Sequence, residues 1–355
     1  MQLPVRRLAL LAIVLAMLAS VPGATASVGD RLPEFRECVE VCRKENCGSG
    51  KAATPIPLHL RLLLWDCAAE CDQTCQRIVT AHRLAAGQSV EQFHGKWPFR
   101  RLFGVQEPAS VAFSLGNLWA HVTGVRRLRQ TLPASYPLLP FYLGFGLVGS
   151  VSWVFSSLFH TRDFVLTERL DYFAAGASVM YGLYYTPVRL FRLDRFDRLD
   201  GIGSSASSPN TSRRDLSRRH NRPPAPCPLV LLVWTALCVA LYVAHVAYLT
   251  LVRWDYGYNM AANVACGIVQ NALWSWHSWR QWRLTRRFWT VWPGLAVAWL
   301  TLAMSLELFD FPPAFGIFDA HSLWHLGTIG PTVIWYNFLA KDALDDLSGK
   351  EKAED

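Results

Sequence analysis

Charged side chains are scarce in this chain. They make up 17% of its 355 residues, where soluble domains carry roughly a quarter. A surface facing water on all sides is therefore a poor fit. The 15 Trp and 19 Phe exceed what a soluble core of this length buries comfortably, whereas lipid and its interfaces accommodate such rings. Also missing is any stripe of Arg and Lys interleaved with aromatics, so the net charge of +8 does not read as a nucleic-acid footprint. The Arg clusters instead adjoin apolar runs, where topology and attraction to anionic lipid account for them. The first apolar run, Leu8 to Leu18, is too short to cross ~30 Å of hydrocarbon, which takes about 20 residues. Preceded by Arg6 and Arg7 and followed by Ala24-Thr25-Ala26, it marks residues 1–26 as a cleaved signal peptide. The mature N-terminus is then lumenal.

Six of the nine cysteines fall in the lumenal segment 27–106: Cys38, Cys42, Cys47, Cys67, Cys71 and Cys75. The compartment is oxidising, and the four-residue spacings place each set along one helix face, so two helices can be stapled across a turn near Thr54-Pro55. Three disulfides in a helical hairpin are expected; the pairing stays open, and zinc binding by these thiols is the less favoured alternative. Cys227, Cys238 and Cys266 sit in apolar runs and read as packing residues.

Apolar runs then recur at about 108–124, 138–160, 171–190, 228–251, 257–278, 288–308 and 321–340. Pro293 and Pro331 fall inside two of them, which membrane helices tolerate when neighbours satisfy the freed carbonyls. Basic residues set the orientation. Arg126, Arg127 and Arg129 follow the first run, nine Arg against four Asp lie between Arg189 and Arg222, and Arg280, Arg283, Arg286 and Arg287 follow the fifth. The alternate loops are weakly charged, so every odd-numbered exit is cytoplasmic, in agreement with the signal peptide. The expected fold class is an all-α membrane protein, a seven-transmembrane bundle over 107–342 behind a small disulfide-rich helical lumenal segment. Residues 195–226, rich in Ser, Arg and Pro, read as a disordered cytoplasmic loop, and 343–355 as a cytoplasmic tail. The acceptor Asn210-Thr211-Ser212 would lie out of reach of glycosylation on this topology.

Ionisable groups in spans cost roughly 2.5–3.5 kcal/mol each near the bilayer centre, which makes their clustering informative. Ser156 and His160 are four apart at the end of the second run, Asp171 opens the third, and His321 and His325 are four apart at the start of the seventh. All five map to the lumenal face, and each four-residue pair shares one side of its helix. Three His ligands leave a tetrahedral position for water, the pattern of a catalytic Zn2+ site. The expected chemistry is metal-assisted hydrolysis, in which zinc lowers the pKa of water from ~15.7 towards ~7, with Asp171 handling the proton. Two roles stay open for Ser156: stabilising the oxyanion or, without a metal, acting as nucleophile with His160 as base. His121, His245 and His277 read as hydrogen-bonded packing residues, with His245 a weaker candidate for the pocket wall.

At these residues the chain resembles a known family. Phe155-Ser156-Ser157-Leu158-Phe159-His160-Thr161-Arg162-Asp163, Asp171-Tyr172-Phe173, Arg253-Trp254-Asp255-Tyr256-Gly257-Tyr258-Asn259, Leu306-Glu307-Leu308-Phe309-Asp310-Phe311-Pro312-Pro313 and Asp319-Ala320-His321-Ser322-Leu323-Trp324-His325 look like the signature of the Per-like GPI-remodelling membrane proteins. The resemblance extends over nearly the whole mature chain except the Ser/Arg-rich loop and the tail. That family belongs to the CREST superfamily of seven-span hydrolases, beside alkaline ceramidases and progestin/adipoQ-type receptors. Its motif of one Ser, one Asp and three His falls on Ser156, Asp171, His160, His321 and His325. The resemblance implies a phospholipase A2 reaction that removes the sn-2 acyl chain from the GPI anchors of proteins, in ER or Golgi membranes. A ceramidase-like amidase and a non-enzymatic GPI-protein receptor or chaperone are the alternatives. Asp255, Glu307 and Asp310 read as helix caps in preference to contacts with amines of the anchor.

Overall fold

The computed structural model describes residues 27–48, 55–194 and 228–354. The signal peptide, the loop 195–226 with Asn210, and Cys227 lie outside the described residues. Within them the chain is helical, with isolated two-residue bridges but no sheet. Four helices form the N-terminal segment: α1 (Val28–Arg31), α2 (Pro33–Asn46), α3 (Leu58–Leu62) and α4 (Cys67–Ala85). Seven longer ones follow: α5 (Pro108–Thr131), α6 (Leu139–Thr161), α7 (Val165–Leu190), α8 (Pro228–Ala247), α9 (Tyr256–Thr285), α10 (Trp292–Phe309) and α11 (Ala320–Glu354).

The helix starts are written locally. Proline occupies the first turn of α2, α5, α6 and α10, where its missing N–H costs nothing and its fixed φ suits the helix. Asp66 and Asp255 cap α4 and α9 by accepting from the backbone N–H of Ala69 and Tyr258, at 2.7 and 3.0 Å. The segments Leu139–Thr161, Leu229–Val252 and Phe288–Glu307 are long and apolar enough to cross a membrane by length and composition. The helices α5, α6, α7, α9, α10 and α11 pack in a closed ring, each against the next and α11 back on α5. The most apolar helix, α8, stands outside this ring against α7, and few of its residues are fully buried. It ends in a π turn, Tyr248–Val252, next to α9, where His245 Nε2 lies 3.2 Å from Asn259 Oδ1.

In the N-terminal segment α2 and α4 run antiparallel and are joined by the expected three disulfides, Cys38–Cys75, Cys42–Cys71 and Cys47–Cys67. The nested order is what an antiparallel hairpin requires, since cysteines advancing along one helix meet cysteines receding along the other. Phe35, Cys75, Val79 and Phe93 form its small core. Cys238 and Cys266 are free.

The two ends of the bundle differ. At the end where α5 turns into α6, Leu128, Tyr142, Tyr185, Trp274, Tyr336 and Leu339 make the main buried cluster. Beside it, the Arg189 guanidinium donates to both carboxylate oxygens of the buried Asp342 at 2.5 Å, and Arg192 pairs with Asp346 at 2.7 Å. The last helix continues past residue 342 to Glu354, with Ala343 fully buried against this cluster. His121, deep between α5 and α11, shares a hydrogen bond of 2.8 Å with Tyr336, and His277 is buried against Trp274. Both fit the packing role expected of them.

Candidate metal centre

The opposite end gathers the polar groups. His160 closes α6, while His321 and His325 occupy successive turns at the start of α11. Their ligand atoms all lie within 4.8 Å of one another, and His160 and His325 are almost wholly buried. The i, i+4 spacing puts the two α11 rings on one face, and that face meets the end of α6.

Each ring is fixed through Nδ1. His160 Nδ1–H donates to Glu107 Oε2 at 2.7 Å and His321 Nδ1–H donates to Glu307 Oε2 at 2.8 Å. Nδ1 of His325 lies 2.9 Å from Ser114 Oγ. The Nε2 atoms of His160 and His321 then face each other across 3.4 Å, a contact that one shared proton or a bound cation would satisfy. Nitrogens bound at about 2.0–2.1 Å to a tetrahedral zinc stand roughly 3.3–3.4 Å apart, so the donor set fits that ion. Orienting partners on the far ring nitrogen are the usual support of metal-ligating imidazoles.

The other two expected residues are also here. Ser156 is buried one turn before His160, and its Oγ is 3.0 Å from Ser114 Oγ. Its hydrogen bond therefore runs through Ser114 to His325 and not to His160, which disfavours the serine-nucleophile scheme. Asp171, in the second turn of α7, is close enough for its charge to act on both His160 and His321.

Three further groups complete the site. Nothing in the sequence pattern marks Glu107 or Ser114, and the carboxylate of Glu307, expected to cap a helix, instead holds His321. Asp255 does cap α9, and Asp310 stands at the C-cap of α10 while its carboxylate accepts from Gln92 Nε2 at 2.8 Å and Trp97 Nε1 at 2.9 Å, tying the cysteine-rich segment to the bundle. The only local hint for Glu107 was a carboxylate directly before Pro108 at the edge of an apolar run, which normally signals a solvated helix start.

Glu107 is buried, which by itself would raise its pKa. The Lys96 ammonium, 2.6 Å away, and the His160 ring outweigh burial and hold the carboxyl far below its usual range. Lys96 is in turn held charged by Glu107 and by Asp163 at 3.1 Å, against its own burial, and lies 3.9 Å over the Phe159 ring. It sits at the end of a tight turn, Phe93 to Lys96, whose Phe93 belongs to the hairpin core. The disulfide-rich segment is thus mechanically continuous with the candidate ligand His160.

A bundle of long helices, several apolar enough for a bilayer, with three braced imidazoles converging at one end, defines an integral membrane protein with a candidate metal centre. The chain belongs to the Per1-like family, whose model matches residues 57–343. It is similar to the protein PER1 homolog of Schizosaccharomyces pombe, 39% identical over 329 residues that make up 91% of this chain and 89% of that protein. It is also similar to proteins named GPI-specific phospholipase A2-like PGAP3. That of Bos taurus is 37% identical and that of Homo sapiens 36%, each over 332 residues covering 92% of this chain and 93% of the relative.

Proposed function

We propose that this protein is a GPI-specific phospholipase A2-type hydrolase that removes the sn-2 acyl chain from the anchors of GPI-linked proteins during lipid remodelling. The names of the relatives support the substrate. The observation that carries the chemistry is the convergence of His160, His321 and His325, each with its Nδ1 held by a separate partner. These residues would hold Zn2+ through Nε2. Bound there, the ion supplies a Lewis acid and draws the pKa of water towards ~7.

The remaining chemistry falls to the chain. The Asp171 carboxylate accepts the proton released as water adds to the ester carbonyl, then returns it to the glycerol oxygen when the carbon–oxygen bond breaks; the products are a free fatty acid and a lyso-anchor. With His325 Nδ1–H donating to Ser114, and the Ser114 hydroxyl donating to Ser156, Ser156 keeps its own proton for the carbonyl oxygen as it becomes negative. Glu107 and Glu307 keep their two rings in one tautomer.

The helices α5 to α11 are read as seven spans with the histidine end lumenal and the C-terminus cytoplasmic, in ER or Golgi membranes. An sn-2 ester lies just beneath the headgroups of that leaflet, level with the triad. The test is a GPI lipid with different acyl chains at sn-1 and sn-2, offered to purified protein in nanodiscs. Release of the sn-2 acid alone is expected. Release of the sn-1 acid, or of no acid by an intact and metal-loaded protein, contradicts the assignment.

A further inference from the structure

The cysteine-rich segment has an apolar edge that no other described residue covers. Leu58 and Leu62 lie on one face of α3, with Leu62 72% exposed, and Leu64 follows with a left-handed backbone, φ 60°. Beside them is the turn Leu102–Val105, closed by paired backbone hydrogen bonds of 3.2 and 2.9 Å. Its two central residues, Phe103 and Gly104, have φ of 51° and 88°. Such a turn favours Asn or Asp at its first central position because the left-handed region is costly for other side chains. Here that position holds a phenylalanine with 90% of its surface exposed, at the tip of a loop where water would select a polar residue.

α3 and this turn form one surface. A Cβ on Gly104 would fall 2.8 Å from Leu63 and 2.9 Å from Leu60, and Trp65 Nε1 donates to the Gly104 carbonyl at 2.8 Å. The surface also continues into the lipid-facing side of the bundle. Immediately after the turn, Gln106 N–H donates to the Thr161 carbonyl at the end of α6 at 3.0 Å. On α6, Leu147, Val151, Val154 and Leu158 are all exposed and run as a single stripe up to that point. At the junction the guanidinium groups of Arg101, at 4.3 Å, and Arg162, at 4.0 Å, both lie over the Trp65 ring. Trp with Arg is the chemistry of the membrane–water boundary. Arg61 on α3 is itself exposed, its stem long enough to lift the charge to the headgroups while neighbouring leucines sink.

We propose that α3 and the Phe103 turn rest in the interfacial layer of the leaflet that faces the histidine cluster, so that the cysteine-rich segment is a membrane-seated collar and not a domain free in the lumen. The inference rests on the reading of α6 as a membrane span. Its occupant is a phospholipid surface, as expected of a short apolar patch with basic flanks that prolongs a lipid-facing stripe. The collar would hold the Lys96–Glu107 brace at a fixed depth over the ester-bearing region of the lipid.

The full-length protein, in nanodiscs of alkyne-tagged phosphatidylcholine, can be given p-benzoylphenylalanine at one position at a time: 103, 62, 147 or 44. Lys44 is exposed on α2 away from this edge, and Leu147 is on the α6 stripe. Photolysis should attach lipid at 103, 62 and 147 and leave 44 unlabelled. Lipid at 147 without lipid at both 103 and 62 overturns the collar, as does adduct formation at 103 or 62 with a second copy of the chain. Failure at 147 as well overturns the membrane assignment of α6 itself.

Discussion

The two ends of the bundle are built from the same helices and by opposite rules. At the end sealed by Tyr142, Trp274, Tyr336 and Leu339, side chains interdigitate and the charges beside them are neutralised as Arg–Asp pairs. At the other, Ser156, His160 and His325 are as deeply buried, yet each needs a polar partner from another helix. The first arrangement supplies stability through close contact. The second spends stability to hold polar side chains in fixed orientations, a cost that the proposed ion and substrate would offset on binding. Changes at the two ends should therefore separate stability from activity.

The largest expected effect is at the polar end. His325→Ala should abolish acid release and bound metal together, while thermal unfolding of the metal-free variant in detergent matches that of the metal-free parent. A variant that unfolds early would merge the two ends. The reverse change, Leu339→Ala at the closed end, leaves a cavity and should cost about 2–5 kcal/mol of stability, with turnover per folded molecule preserved below the melting range.

Glu107→Gln sharpens the contrast, since it keeps size and removes charge from the brace on His160. Zinc affinity, measured by chelator competition, should fall about 10–100-fold. Lys96→Met acts one step further out and should fall by less, with Lys96→Arg restoring it; equal affinities for all four proteins would make the brace structural only.

The smallest effect lies beyond either end, at His94 in the turn before Lys96. Its hydrogen bond to Asp72, 3.0 Å away, raises its pKa despite partial burial, with Asp30 helping at 3.3 Å. The folded value is above the unfolded one, so the added stability is complete below about pH 6.5 and is lost as pH rises through the folded value. The ring is more than half exposed, and solvent screening keeps the contribution small. Melting curves of the parent should drift down slightly across that window, and those of His94→Gln should not.

The same contrast explains what could be read in advance. The i, i+4 pairs Ser156/His160 and His321/His325 are legible because a helix turns spacing into a shared face. Glu107, Ser114 and Glu307 are not, because their role depends on which helix end lies opposite, a tertiary fact. Apolar runs measure lipid thickness rather than helix length, so α5 runs on through Arg126, Arg127 and Arg129 to Thr131. They also fade where a helix lines the site. Ser110, Ser114, Asn117 and His121 are buried along α5, and α5 accordingly falls outside the segments apolar enough to span by composition. The disulfide pairing was open among 15 arrangements until the antiparallel hairpin was seen.

The most direct measurement is to strip the purified protein of metal, restore zinc in steps, and follow sn-2 fatty acid release together with zinc content. The account predicts no release from the stripped protein, recovery that saturates at a single zinc per chain, and neither binding nor recovery in His325→Ala. Undiminished release from protein free of metal would contradict it.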